Sequence, residues 1–356
     1  MIAIGCMDIG GTKGVVQLWP LFLEKGHDVR IFCNGVGQRD LNEAGIPFTE
    51  TGDPEVVVKA IMSDCQLWVT TMDQPGSIGI ATAKRLREID PDLPIIALSD
   101  YPTSATLRSE EWQGFRPDLI TAGDGVNARV IQQGWPDYPT KNIRVVGYPA
   151  FDRFDDFNVP AIRNELRQEL GLTSDAFLAV LFTNIDDTPE LARQFVKAMP
   201  TGSSNFFSVR PHPRMAERAT DLFEETQRIL SPYGDRCLDT SKFATDRMIC
   251  AADVVISPCS TVSGEAAALR VAGINYYPPF IEKWYLDSIG GIVSHFPWSE
   301  LGVVAEAWGI EGLAQLLNEA KAGQLKGYLR QAQEHYFPKG MKCSRDIVEM
   351  LLSVIR

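Results

Sequence analysis

The hydrophobic pattern along the chain repeats one unit. Short continuous apolar runs alternate with longer stretches in which apolar positions recur every three or four residues, which predicts buried strands alternating with amphipathic helices. Residues 1 to 6 (MIAIGC) form the first strand, and MDIGGTKG leads from it into the helical stretch VVQLWPLFLE. Lys25 and Gly26 end that helix, Pro20 marks a kink or a late start within it, and Val29 to Cys33 form a second strand. After GIPF (45–48) come a helix near Pro54 to Ser63, the strand Leu67 to Thr71, the helix Ile78 to Ile89 and the strand Ile95 to Ser99. A strand at Leu119 to Thr121, a helix at Val126 to Gln133 and a strand at Ile143 to Val146 complete this half. A charged helix, Ala161 to Leu170, ends at Gly171 and bridges to a second series. That series runs strand Phe177 to Thr183, helix Pro189 to Met199, strand Phe206 to Val209, helix Met215 to Leu230, helix Phe243 to Cys250 and strand Val254 to Ile256. FIEKWYLDS beyond Pro279 reads as irregular, and three helices close the chain near Ile310 to Ala322, Leu325 to His335 and Ser344 to Ile355. Strands alternating with helices imply an α/β protein with a doubly wound parallel sheet in each half.

Length and composition fit this division. A chain of 356 residues spans about two average domains, and 45% hydrophobic residues supply a core for each. The expected bounds are 1–155 for the first domain, 156–330 for the second, and 331–356 for closing helices that return to the first. A formal net charge of -12 argues against a nonspecific nucleic-acid or anionic-membrane surface. The seven cysteines are scattered without a CxxC pair, mostly within or beside apolar runs, which points to reduced buried thiols and a cytoplasmic location. No run reaches the roughly 18 apolar residues of a membrane span, no signal peptide is evident, and none of the four histidines is spaced for a metal. No metal and no bound cofactor are therefore expected. The sequence leaves the oligomeric state open.

The candidate chemistry lies where strands end. In ADVVISPCSTVSGEAAALRVAGINYYPP (252–279) a strand stops at Ser257 and Pro258, small residues follow, and a helix begins near Ser263. Such a loop, at the carboxyl end of a strand and the amino end of a helix, suits phosphate, with Ser260, Thr261, Ser263 and Gly264 allowing close approach. Glu265, placed in the first helical turn, can accept from the two hydroxyls of a ribose. An ordinary capped turn, with Ser as N-cap and Glu near the third position, explains the same residues equally well. Asp73 and Asp100 each fall just past a strand end, as catalytic carboxylates or as turn formers. Arg210, His212 and Arg214 of RPHPR follow another strand, where imidazole and guanidinium groups can meet phosphate charge. TNIDD (183–187) ends the first strand of the second half. In the first half, Gly10 to Gly14 form a glycine-rich loop, with Gly11 open to a ligand and Lys13 as a phosphate contact.

DIGGTK also matches the phosphate loop of sugar kinases of the ROK type. There, however, the loop joins hairpin strands, and this chain lacks that family's ExGH segment and cysteine-rich zinc motif. The GGTKG loop, VVGYPAFDRF, RPHPR and ADVVISPCSTVSGEAAALRVAGI, taken in order, resemble the GT-B superfamily: two tandem Rossmann-like domains facing across a cleft. Within it the chain is similar to UDP-N-acetylglucosamine 2-epimerases, lipid A disaccharide synthases and CDP-glycerol or capsule-type transferases. The resemblance implies that His212 contacts a nucleotide diphosphate, that Ser260, Thr261 and Ser263 hold its phosphates, that Glu265 binds the ribose, and that Gly11 and Lys13 line the cleft. It implies a metal-independent glycosyltransferase using a nucleotide sugar, UDP-linked by preference, with Asp73 or Asp100 as base. His212, a flanking arginine and the helix amino terminus would carry the leaving-group charge. The epimerases' His-Gly-Asp and His-x-Glu-Ala segments are replaced here by TMDQPGS and ALSDYPTS, which favours a transferase. An epimerase and a non-catalytic sugar-nucleotide binder remain as alternatives. The resemblance is compatible with a glycan or a lipid-linked acceptor, which the sequence leaves open. For the latter, Trp19, Leu21, Phe22 and Leu23 offer a peripheral membrane face, although that helical spacing favours a core stripe.

Overall fold

The computed structural model describes all residues of the chain except 74, 105–111, 213–214, 216–218, 286–293, 341 and 356, and the side chain of residue 284. The chain divides into two compact units. One comprises the described residues of Met1–Asp155 and Gly340–Arg356, and the other those from Asp156 to Lys339.

The first unit is built on a seven-stranded parallel sheet: β1 Ile2–Cys6, β2 Val29–Cys33, β3 Thr49–Glu50, β4 Leu67–Thr71, β5 Ile95–Leu98, β6 Leu119–Ala122 and β7 Ile143–Val145. Its order is β3-β2-β1-β4-β5-β6-β7, so the direction of winding reverses between β1 and β4. β1 and β4 are buried at every residue, as strands covered on both faces must be, which is why they read as unbroken apolar runs. One face packs the helix Ile9–Glu24, through Val15, Leu18 and Phe22, with the last helix, Cys343–Leu352, through Ile347, Val348 and Leu351. That last helix has no local side-chain cap. Its first N–H groups, on Cys343 and Ser344, donate instead to the Asp152 carboxylate at 3.2 and 2.8 Å. The aspartate of GYPAFDRF thus ties the end of the chain to this unit.

The second unit holds a five-stranded parallel sheet of β8 Phe177–Phe182, β9 Asn205–Arg210, β10 Val254–Ser257, β11 Ala272–Tyr277 and β12 Ala305–Trp308, in the order β12-β11-β10-β8-β9. Winding reverses here between β8 and β10. Its core joins Leu181, Phe207, Ile256 and Ile274 of the sheet to Leu191 and Phe195 of the helix Thr188–Ala198 and to Leu313 and Leu317 of the helix Gly309–Lys321.

Several expectations change. GGTKG is not a loop: the helix Ile9–Glu24 takes it into its opening turns, and only Met7 and Asp8 separate it from β1. The glycines are there because the helix packs tightly. A Cβ on Gly11 would lie 2.6 Å from Thr71 Cβ, and one on Gly10 would lie 2.5 Å from Asp100 Oδ2. Pro20 sits inside the helix, which continues to Glu24. FIEKWYLDS is helical over Pro279–Tyr285, and its remainder lies outside the described residues. The helix Gln38–Glu43 and the strands β3, β11 and β12 carry too short or too mixed a pattern to be found from periodicity. Of the four apolar residues at 19 and 21–23, Phe22 is fully buried in the core, Trp19 and Leu21 pack against it, and Leu23 is exposed.

Gly11→Ala is a direct check on the packing role. The added methyl forces the helix off β4 at a cost of about 1–3 kcal/mol, which outweighs the helix-propensity gain of up to about 1 kcal/mol. A lower Tm in thermal unfolding is expected, and an unchanged or raised Tm would show that the helix does not need the close approach.

Candidate functional site

In each unit the parallel strands end on one edge, and the register decides which side chains meet there. In the first unit Gly5 pairs with Thr70 and Thr70 with Ala97. Three residues beyond this row, on all three strands, stands an aspartate: Asp8, Asp73 and Asp100. β1 and β4 flank the reversal of winding, where an open α/β sheet leaves its crevice.

Asp73 is the buried member, at 1% exposure. Its Oδ1 accepts from the Asp8 backbone N–H at 3.0 Å, and its Oδ2 accepts from the hydroxyls of Ser77 (3.0 Å) and Thr71. Those donors hold the carboxylate in one orientation. Burial, followed by the negative charges of Asp8 and Asp100, nevertheless raises its pKa from 3.8 to about 7. A carboxyl held there exchanges a proton readily near neutrality, as a general base or acid requires. Asp100 is partly exposed, accepts from the Ser104 hydroxyl at 3.4 Å, and lies against Gly10. The structure therefore brings Asp73 and Asp100 together and adds Asp8, which sequence reasoning passed over. The signal was present, because Asp8 stands two residues past the first strand just as Asp73 and Asp100 stand two past β4 and β5. Gly11 is buried against Thr71, and Lys13 is partly exposed in the opening turns of the helix.

In the second unit Val209, Leu181, Ile256, Ile274 and Ala305 form one row across the sheet. Three residues beyond it stand His212, Asn184, Cys259, Tyr277 and Trp308. The loops after β8 and β10 flank the reversal of winding here. After β8, Asn184 Nδ2 donates to Asp187 Oδ2 at 2.8 Å, and the Thr183 and Thr188 hydroxyls meet at 2.7 Å. After β10, Cys259 adopts φ 44°, a left-handed conformation uncommon for a residue with a side chain. Its N–H donates to Oδ1 of the fully buried Asn275 at 2.7 Å, which secures that turn. Ser260 caps the helix Thr261–Ala268, accepting from Val262 N–H at 3.4 Å. Ser260 and Thr261 remain partly exposed.

Other candidates take different places. The Ser263 hydroxyl is buried against the Ser257 hydroxyl at 2.8 Å, and Gly264 is buried within the helix. Glu265 stands in the second helical turn, not the first, and is 4% exposed, because the helix begins at Thr261. The Arg210 guanidinium donates to the carbonyls of Thr240 and Phe243 (2.8 Å for the latter) and to the Thr240 hydroxyl at 3.2 Å. It therefore shapes the segment before the helix Thr245–Ala251, and burial lowers its pKa. His212 is partly exposed, and its carbonyl accepts from Met215 N–H at 2.8 Å. Arg214 lies outside the described residues. Among the described residues no cluster of His, Cys, Asp or Glu is arranged to hold a metal, and no helix is long and apolar enough to cross a membrane.

Neither a family model nor a curated protein matches the sequence. Solved structures do match the fold. A UDP-GlcNAc 2-epimerase from Neisseria meningitidis, bound to UDP-GlcNAc, is 11% identical with a TM-score of 0.69 over 99% of this chain and 99% of its own. HepE from Anabaena, in complex with UDP and glucose, is 13% identical with a TM-score of 0.67 over 99% and 100%. The wall teichoic acid polymerase TagF, soaked with CDPG, is 13% identical with a TM-score of 0.62 over 100% of this chain and 89% of its own. With its two parallel α/β sheets, each doubly wound, and these structural neighbours, the chain has the GT-B fold.

Proposed function

We propose that the protein is a glycosyltransferase that moves a sugar from a nucleotide-activated donor to an acceptor hydroxyl without a metal. The observation that carries this reading is Asp73, buried at the reversal of winding, held by three donors and poised to exchange a proton near neutral pH. On this reading the first unit supplies the base and the second binds the donor. The acceptor oxygen attacks the anomeric carbon, its proton passes to Asp73, and the bond to the diphosphate breaks with its electron pair on the phosphate oxygen. His212 and the amino end of the helix Thr261–Ala268 offset the charge that develops there. HepE with UDP and glucose and TagF with CDPG are the neighbours that support a nucleotide-linked donor.

A thermal-shift screen against UDP, CDP, GDP, ADP and CMP tests the donor half, since a ligand at 100 times its Kd stabilises by about 2.7 kcal/mol. One nucleoside diphosphate is expected to raise Tm by several degrees, with UDP favoured. His212→Ala is expected to weaken that nucleotide about tenfold, the scale of one charge-assisted hydrogen bond. Unchanged affinity in the variant would remove His212 from the phosphate site.

A second reading, a sugar-nucleotide 2-epimerase, is favoured by the same raised carboxyl, since proton exchange at carbon needs a group that both takes and returns a proton. Incubation with UDP-N-acetylglucosamine alone separates the two. Inversion at C2 without an acceptor supports the epimerase, and an unchanged sugar supports the transferase.

A further inference from the structure

Beside the loop after β10 lies a second set of titratable side chains that the proposed reaction does not use. His295 Nδ1 lies 2.6 Å from Glu306 Oε2 on β12. The other oxygen, Glu306 Oε1, accepts from the Tyr277 hydroxyl at 2.8 Å and from Phe296 N–H at 3.1 Å. Tyr277 also hydrogen-bonds the Cys259 thiol, one residue before the helix cap Ser260. Trp308, at 37% exposure, stacks on the Tyr277 ring with centroids 4.0 Å apart. The Glu306 side chain is 12% exposed and its partner imidazole 55%. A buried carboxylate thus fixes one face of a solvent-facing imidazole, the arrangement by which a carboxylate sets a histidine's tautomer and leaves Nε2 for a ligand.

Its position says which ligand. β11 and β12 stand one and two strand spacings from β10, about 5 and 10 Å, and β9, which leads to His212, lies on the opposite side of the β8–β10 reversal. The two histidines therefore bracket the Ser260 loop. Glu306 beside an unprotonated imidazole repels an anion, whereas the protonated imidazole cancels Glu306 and still offers an Nε2 proton. An anionic oxygen arriving at the Ser260 loop meets a proton donor there only in the charged form.

We propose that His295, oriented by Glu306, is a second proton-donating contact of the donor half, directed at the terminal phosphate of a nucleoside diphosphate. This rests on the reading of the second unit as a nucleotide site. It adds a residue to that site. The charged group in contact with His295 is Glu306 of β12, whose other oxygen is taken by Tyr277 of β11, and Tyr285 of the helix Pro279–Tyr285 feels the charges of Glu306 and of Glu300 in the helix Pro297–Glu300.

The test is calorimetric titration of the full chain with UDP, CDP and their monophosphates at pH 6, for wild type, His295→Gln and His212→Ala. Expected is a loss of diphosphate affinity of about tenfold at pH 6 in His295→Gln. The monophosphate affinity is expected to stay within about twofold. Proton NMR of the imidazole Hε1 signals, with His295 assigned by its disappearance in His295→Gln, is expected to show that signal moving on addition of UDP. If His295→Gln binds UDP as wild type does at pH 6 and the signal stays still, while His212→Ala weakens binding, this proposal is overturned and the donor-site reading survives. If wild type binds none of the nucleotides, both are overturned.

Discussion

Asp73→Asn loses turnover by about a hundredfold to ten-thousandfold, the usual contribution of a positioned general base, while folding at least as firmly as wild type above pH 7. The two effects share one cause. The carboxyl is buried against Asp8 and Asp100, and its pKa stands near 7, not 3.8. Between those values the folded chain keeps a proton that the unfolded chain has released. The stability conferred by neutral Asp73 is therefore complete below about pH 4 and lost as pH rises through 7. Each pKa unit is worth about 1.4 kcal/mol, so charging this site costs at most a few kcal/mol. Asn never charges and escapes that cost. It recovers only part of it, because one amide oxygen must serve the Thr71 and Ser77 hydroxyls and the Asp8 N–H. The catalytic sign is opposite: the deprotonated form is the base, so kcat in wild type rises with pH through about 7. Release of the nucleoside diphosphate from the donor, followed from pH 5.5 to 8.5 beside urea unfolding at pH 8, measures both. A variant with wild-type turnover would remove Asp73 as the base, and one less stable at pH 8 would show the carboxylate to be held for structure.

How much of this was readable in advance differs between fold and site. The fold was readable because doubly wound sheets advertise themselves: strands such as Leu67–Thr71 and Phe177–Phe182 are buried on both faces and appear as apolar runs. Helices such as Ile78–Ile89 carry their period on one covered face, and that helix has the bounds its pattern predicts. Short edge elements escaped, since the two residues of β3 are too few to show a period. At the site, the aspartates past strand ends could be named because a strand end is visible in the sequence. What could not be read was which groups a residue type would meet. GGTKG looks like a phosphate loop by composition, yet Gly11 is small because Thr71 lies against the helix. Glu265 reads as open to a ribose if the helix begins near Ser263, whereas a helix start at Thr261 puts it in the second turn and buries it. His295 gave no signal at all, since its partner Glu306 is brought to it by sheet topology and not by spacing.

Asp253→Ala is expected to cost the second unit about 3 kcal/mol, the lower end of the range for removing one partner of a buried charge, here that of Arg167. Asp253 immediately precedes β10, at the end of the strand away from the candidate site. Its carboxylate accepts from Arg163 at 2.5 Å, from Arg167 at 3.2 Å and from Leu178 N–H at 2.8 Å. It thereby fastens the helix Val159–Glu169 to β8 and β10 at once. Arg167 is 6% exposed, and burial already lowers its pKa, with Asp253 as the opposing charge that offsets part of that cost. Truncation leaves the guanidinium buried without that charge and the Leu178 N–H without its acceptor. The cost stays at the lower end because Arg167 keeps the carbonyls of Ala251 and Ala176, and Arg163 those of Ala251 and Ala252. Since the lesion lies at the opposite end of β10 from Ser260, nucleotide affinity of the folded fraction is expected to be unchanged. A saturating nucleoside diphosphate should then return most of the lost stability through linkage. Urea unfolding with and without the nucleotide checks the claim. A loss below about 1 kcal/mol would show that the pair merely decorates the helix, and a weakened nucleotide would show that β10 transmits the damage to the loop at its far end.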